Sequence, residues 1–202
     1  MPNVKDVRHG APDQSTTGAI LHAPIGTTLP SLSSITKAAV TIDGSFTGNE
    51  YVSEDGLTLA PSISTTDIKD WSGATVRKVF ESFDGTLSWT MISTNENAMK
   101  VAFGDSHVTT NAATASHGKQ VQAALGAHLP DAQSWVFLMK DGDARVVIVV
   151  PNGQVTEVGE VNFKSNDAIG WQVTLSCYPD SSGECIYIMT DDGVVTGSTS
   201  TT

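Results

Sequence analysis

Apolar and polar positions alternate most sharply between Thr86 and Ile92. Leu87, Trp89 and Met91 fall on one side and Thr86, Ser88 and Thr90 on the other, so period two predicts a strand buried on one face and wet on the other. Thr75–Phe83 is also strand-like, and Asp84-Gly85 between the two runs predicts a hairpin turn. Further strands are expected at Ala19–Ala23, Ala38–Gly44 and Ser134–Lys140. Arg145–Val150 is an unbroken apolar run, which implies burial on both faces. Asp141-Gly142-Asp143 precedes it as a turn, and Pro151-Asn152-Gly153 follows it as the next. Val155–Phe163 alternates, with Glu157 and Glu160 on opposite faces. Trp171–Tyr178 is a strand, Pro179–Gly183 a turn, and Cys185–Met189 the expected hairpin partner.

One helix is predicted, over about residues 94–103. Ser93 and Glu96 have capping-box spacing, Met99, Ala102 and Phe103 follow at helical spacing, and Gly104 suits the stop. Leu32–Lys37 fits a helical turn or coil, and Val121–Leu125 fits strand or helix. Residues 105–120 are small and polar and read as a loop. The longest break in the pattern runs over about residues 44–74, polar and punctuated by Gly56, Pro61 and Gly73, yet holding Tyr51, Leu57, Ile68 and Trp71. A loop this long inside a compact domain is usually functional or disordered. These elements together describe a mainly β chain, an antiparallel sandwich or barrel with one short flanking helix and a long inter-strand loop. Residues 1–17 read as a flexible arm, 18–190 as the β domain and 191–202 as a loose tail.

Composition narrows the function classes. The hydrophobic share is 39% of 202 residues, low enough for one turn-rich β domain. Asp and Glu number 22 against 11 Lys and Arg, a formal charge of −11, which argues against tight phosphate binding. The same charge serves solubility alone. No apolar run approaches the roughly 18 residues of a membrane span, and the N-terminus lacks a signal-peptide core, so synthesis in the cytoplasm is expected.

Candidate chemistry is sparse. His9, His22, His107, His117 and His128 show no zincin spacing and no neighbouring cysteine, so no metal site is expected. Gly118-Lys119 lacks the earlier glycine and the Ser or Thr of a phosphate-binding loop. No Gly-x-Ser-x-Gly elbow occurs. Asp141 and Asp143 lack the later glutamate of a calcium loop, and a carboxylate hydrolase built from Asp141, Asp143, Glu157 and Glu160 has no supporting spacing. Neither an enzyme nor a cofactor is therefore expected. Cys177 and Cys185 flank the Pro179–Gly183 turn, so either a cross-strand disulfide or two free thiols fits, and reducing synthesis favours thiols.

Several runs, in order, carry a family resemblance. Ala23-Pro24-Ile25-Gly26-Thr27-Thr28-Leu29-Pro30 comes first, then Gly48-Asn49-Glu50-Tyr51-Val52-Ser53-Glu54-Asp55-Gly56-Leu57-Thr58, then Thr66-Asp67-Ile68-Lys69-Asp70-Trp71-Ser72-Gly73 and Val76-Arg77. Pro151-Asn152-Gly153-Gln154-Val155-Thr156-Glu157-Val158-Gly159 and Trp171-Gln172-Val173-Thr174-Leu175 follow. This chain resembles the major tail tube proteins of long-tailed, non-contractile bacteriophages over most of residues 18–190. The resemblance implies a virion protein of six-membered rings stacked into a hollow tail tube, without the added immunoglobulin-like domain that some members carry. Implied partners are further copies of itself, a tape-measure protein, and tail terminator and tail tip proteins, with genomic DNA passing through unbound and no membrane involved. Four strands per subunit give about 24 in the inner barrel; at ~4.8 Å spacing and ~45° tilt the backbone diameter is near 50 Å and the bore roughly 40 Å. The 44–74 loop is then expected to pack on the next ring, with Tyr51, Leu57, Ile68 and Trp71 as anchors; the other reading of Trp71 is a cap on its own subunit's core. The alternative is a β-sandwich binding module such as a capsid decoration protein or adhesin.

Overall fold

The fold turns on β7 (Ala144–Val158), the strand containing the apolar run. In a computed structural model that describes residues 7–13, 18–48 and 50–195, β7 pairs along one edge with β6 (Gln133–Asp141). Along its other edge it pairs first with β9 (Tyr187–Asp191), through Arg145–Val149, and then with β8 (Trp171–Tyr178), through Asn152–Val158. The changeover falls at Pro151-Asn152-Gly153, which the sequence suggested as a turn. It is a kink within one strand instead. The register shifts there against β6, and a proline that cannot donate to a ladder is tolerated at such an irregularity.

From β8 the sheet continues to β3 (Thr75–Met91) and ends at β2 (Val52–Lys69); from β6 it ends at β1 (Ile20–Pro24). The order is β1-β6-β7-β8-β3-β2, with β9 beside β7, and every pairing is antiparallel. The sheet curls until β3 faces β6, with the Trp89 ring centroid 5.5 Å from both Trp135 and Phe137. Inside the curl lie Leu87, Trp89, Met91, Val155, Val173 and Leu175. A second core, built on Leu21, Phe46, Val136, Val147 and Val149, covers the opposite face of β6 and β7. This explains the unbroken run 145–150: both of its faces are buried.

α1 (Glu96–Phe103) closes one end of the first core with Ala98, Val101, Ala102 and Phe103. Its cap is Asn95, whose side chain accepts from the Ala98 N–H at 2.8 Å, rather than Ser93. Ser93 instead accepts from the Tyr51 N–H at 2.9 Å, holding the entry to β2. Gly104, at φ +90°, ends the helix as expected. Two short strands, β4 (Val108–Asn111) and β5 (Gln120–Ala123), form a separate ribbon where a loop was expected over 105–120.

Other expectations shift for local reasons. Residues 38–44 form no strand beyond the single bridge Ile35–Val40, and at their start buried Arg145 takes backbone carbonyls. Its guanidinium, 1% exposed, donates to the carbonyls of Thr36 at 2.9 Å, Lys37 at 3.3 Å and Ala38 at 2.7 Å, and pairs with the Asp13 carboxylate. Part of the expected 1–17 arm is thereby docked: Asp13 N–H donates to Leu138 O at 3.0 Å, and Ala11 O accepts from Lys140 at 2.8 Å. Residues 1–6 and 14–17 of that arm, and 196–202 of the expected tail, lie outside the described residues. Cys185–Met189 is not the hairpin partner of β8. Residues 187–191 cross to β7, leaving Cys177 buried and Cys185 half-buried as free thiols.

Candidate assembly surface

The stretch 44–74 is not a loop over most of its length. β2 and β3 form one long antiparallel hairpin, and no turn occurs at Asp84-Gly85, where Asp84 pairs with Ser62 and Gly85 with Pro61. Pro61 fits because β2 is the last strand of its sheet, so no further ladder needs the missing N–H. β8 accompanies β3 only from Gly85 to Met91. Beyond that, Ser62–Lys69 and Thr75–Asp84 stand out as a two-stranded arm with no third strand among the described residues, roughly 25 Å long at strand rise.

The tip is built by Asp70. Its carboxylate accepts from Ser72 N at 2.9 Å, Ser72 Oγ at 2.6 Å and Ala74 N at 3.0 Å. These bonds, led by the Ser72 hydroxyl and the Ala74 amide, hold the Asp70 carboxyl below its usual range. Gly73 supplies the positive φ of +87° that the turn requires. The outcome is an ordered knob that presents Trp71 at 105% relative exposure. Trp71 therefore does not cap its own subunit's core. Along the arm Asp67 pairs with Lys78 at 2.9 Å and Glu81 accepts from the Thr66 hydroxyl at 3.0 Å, cross-strand contacts that stiffen it.

Register shows what this arm leaves uncovered. Leu59 opposite Leu87 and Leu57 opposite Trp89 point to the core, and the same face continues outward through Ile63 opposite Phe83 and Thr65 opposite Phe80. Ile63 is 66% exposed and Phe80 64% exposed. The core stripe thus runs off the body onto the arm and finds no partner among the described residues. Val76, Ile68 and Val79 add exposed apolar surface near the tip. By register Ile68 and Val79 lie on the face opposite Ile63 and Phe80, so both sides of the arm carry exposed apolar side chains, as a contact surface would.

The four anchors expected from sequence separate into three places. Trp71 and Ile68 sit on the outer arm and are exposed; Tyr51 is exposed at the base, just before β2. Leu57 packs against its own core and is not an arm residue. Sequence reading missed Ile63, Phe80, Val76 and Val79. Phe80 and Phe83 look out of phase until the bulge between Ser64 and Thr65 is known, since that bulge returns both to one face.

The remaining polar candidates have local partners. His9 Nδ1 lies 2.9 Å from Asp141, and the His107 and His128 rings stack at 3.4 Å. Asp141 and Asp143 flank the tight turn between β6 and β7, with Gly142 at φ +61°. Among the described residues no group of three or more His, Cys, Asp or Glu side chains could hold a metal ion.

The sequence model of the phage tail tube protein family matches residues 14–199. No curated protein sequence matches the chain. Among solved structures, the anti-feeding prophage cap (AFP tube terminating cap) is similar over 92% of this chain and 94% of that one, at 14% identity and a TM-score of 0.45. A chain from the virion of the native gene transfer agent (GTA) particle is similar over 74% of this chain and 92% of that one, at 9% identity and a TM-score of 0.37.

Proposed function

This chain belongs to the phage tail tube protein family and is a structural component of the virion tail, and from that premise we propose that it is the repeating subunit of the hollow tube itself. Six copies close sideways into a ring. Rings stack through the arm, and the genome passes down the bore to the host. The tape-measure, terminator and tip proteins act on this polymer, which assembles in the host cytoplasm before release.

The observation that supports the stacking step is the arm: a two-stranded projection whose core-side stripe, Ile63 and Phe80, has no partner among the described residues. Stacking identical rings needs unlike surfaces above and below, a heterologous contact that propagates. A projection on one end meets that need, and Trp71 at its tip is the residue type that dominates such contacts.

Negative-stain microscopy of the purified protein tests this reading. Rings about as wide as a tail, or tubes built from them, are expected. Isolated particles at every salt and protein concentration would overturn it.

A further inference from the structure

We propose that the tip of the arm seats in a two-part cleft at the base of a second copy, with the Trp71 indole in its apolar half and the cations beside Trp71 in its acidic half. The proposal rests on the tube reading above and names the surface that receives the arm.

The cleft lies where β2 begins. One half is a cavity of about 470 Å³ walled by Ile20, Val52, Leu57, Phe137 and Met139. A second cavity, about 590 Å³, lies beside it and sets the carboxylates of Glu54, Asp55, Glu160 and Asp167 against one cation, Lys164. Ser53 and Glu54 line both, so the two halves adjoin. None of these five charged side chains forms an ion pair among the described residues.

The tip carries the complement. Trp71 and Ile68 are exposed, Ile68 lies opposite Arg77, and Lys69 follows it in the chain. Lys78 is taken by Asp67, and the Asp70 carboxylate by the turn. Lys69 and Arg77 have no ion-pair partner among the described residues. A cavity of this size is large enough for an indole ring. The Ser53 Oγ is buried without a hydrogen-bond partner. The Trp71 N–H is a donor that needs an acceptor when buried, and a rotamer change at Ser53 lets each satisfy the other. The charges at the lip orient the tip and fix its register, while adding little holding strength because they stay wet.

Position makes the occupant another copy. Cleft and tip lie at opposite ends of the same two strands, Val52 pairing with Met91 at one end and Lys69 with Thr75 at the other. Leu57 to Lys69 spans roughly 40 Å at strand rise, so a subunit's own tip cannot fold back into its cleft. A copy displaced along the ribbon direction brings its cleft to that tip. The contact joins unlike surfaces and leaves a free tip at one end and a free cleft at the other, as an open stack requires. The axial repeat is then no longer than the tip-to-cleft span.

The test cross-links tip to cleft. Ser72→Cys and Glu54→Cys are placed in one chain with Cys185→Ser; burial pushes the remaining Cys177 thiol up to about 12 and keeps it inert. Preformed tubes are treated with a short bis-maleimide and run on a denaturing gel. The expected result is a ladder reaching the trimer and beyond, because each link leaves another tip and another cleft to react. Tubes whose subunits stay monomeric, or stop at dimers, would overturn the proposal. If that chain forms no tubes, the Ser72→Cys and Glu54→Cys proteins, each with Cys185→Ser, are assembled together. Dimers from the mixture and none from either protein alone support the contact; no dimers, or dimers from one protein alone, overturn it. An axial repeat longer than the tip-to-cleft span, read from micrographs of unaltered tubes, also overturns it. Absence of tubes from unaltered protein defeats the underlying reading instead.

Discussion

At the residue scale, two buried polar groups set the chain's conditions of stability. Arg145 ties residues 36–38 and Asp13 to β7 through four acceptors, so the guanidinium is paired despite its burial. His22 is less well served. Its Nε2 is buried without a hydrogen-bond partner and its ring lies 5.2 Å from Trp135. Desolvation lowers its pKa below 6.5, outweighing hydrogen bonding from Gln133 and Asn97 and the charges of Glu50 and Asp105, which act the other way. The unfolded chain therefore takes up this proton first as pH falls, and stability is lost from about pH 6.5 downward. The urea midpoint of the subunit should drop between about pH 7 and pH 5, and His22→Gln should flatten that slope. An equal slope in both proteins would show that other groups carry the acid sensitivity. Sequence reading placed His22 at a strand end but could not see its burial. That burial comes from residues far along the chain: Thr47, whose backbone bridges it, and Trp135.

At the element scale, the arm separates folding from assembly. Trp71, Ile63 and Phe80 are exposed in the subunit. Trp71→Ala should therefore change subunit stability by no more than about 0.5 kcal/mol, as is usual for exposed sites. The same variant should form short or unstable tubes, read by sedimentation and microscopy. Tubes of ordinary length and salt resistance would remove Trp71 from the contact, and Phe80→Ser then tests the stripe independently. Most elements were legible from pattern: 134–140, 171–178 and the helix emerge where periodicity and caps agree. The errors share a cause. Asp84-Gly85 and Pro151-Asn152-Gly153 carry turn chemistry, yet both lie inside long strands, because Gly85 and Gly153 share a row with Cys177 where space is short. A Cβ on Gly153 would come within 3.0 Å of the Trp135 ring. Their small size answers packing, which a turn rule cannot distinguish from backbone need. The polar 52–69 segment hid its strand for the opposite reason: it has little core to alternate against.

At the scale of the whole molecule, charge opposes the packing that the arm invites. Each subunit carries a formal −11, and the proposed rings would bring like charges within a Debye length. Raising salt from about 0.02 M to about 0.5 M should lower the protein concentration at which tubes appear, measured by sedimentation. Weaker assembly at high salt would show that specific ion pairs, not apolar contacts, hold the rings. Family membership was legible through the order and spacing of short runs.

The two bulges in the arm, at Ser64/Thr65 and Ile68/Lys69, bear on the subunit's life before it meets its neighbours. A bare ribbon with both edges open is a template on which stray chains can zip together into fibrils. Each bulge breaks the even spacing of donors and acceptors and adds twist, so a foreign strand finds only short stretches to match. The projection can stay adhesive toward its proper dock and still be a poor seed for clumping in a crowded cell.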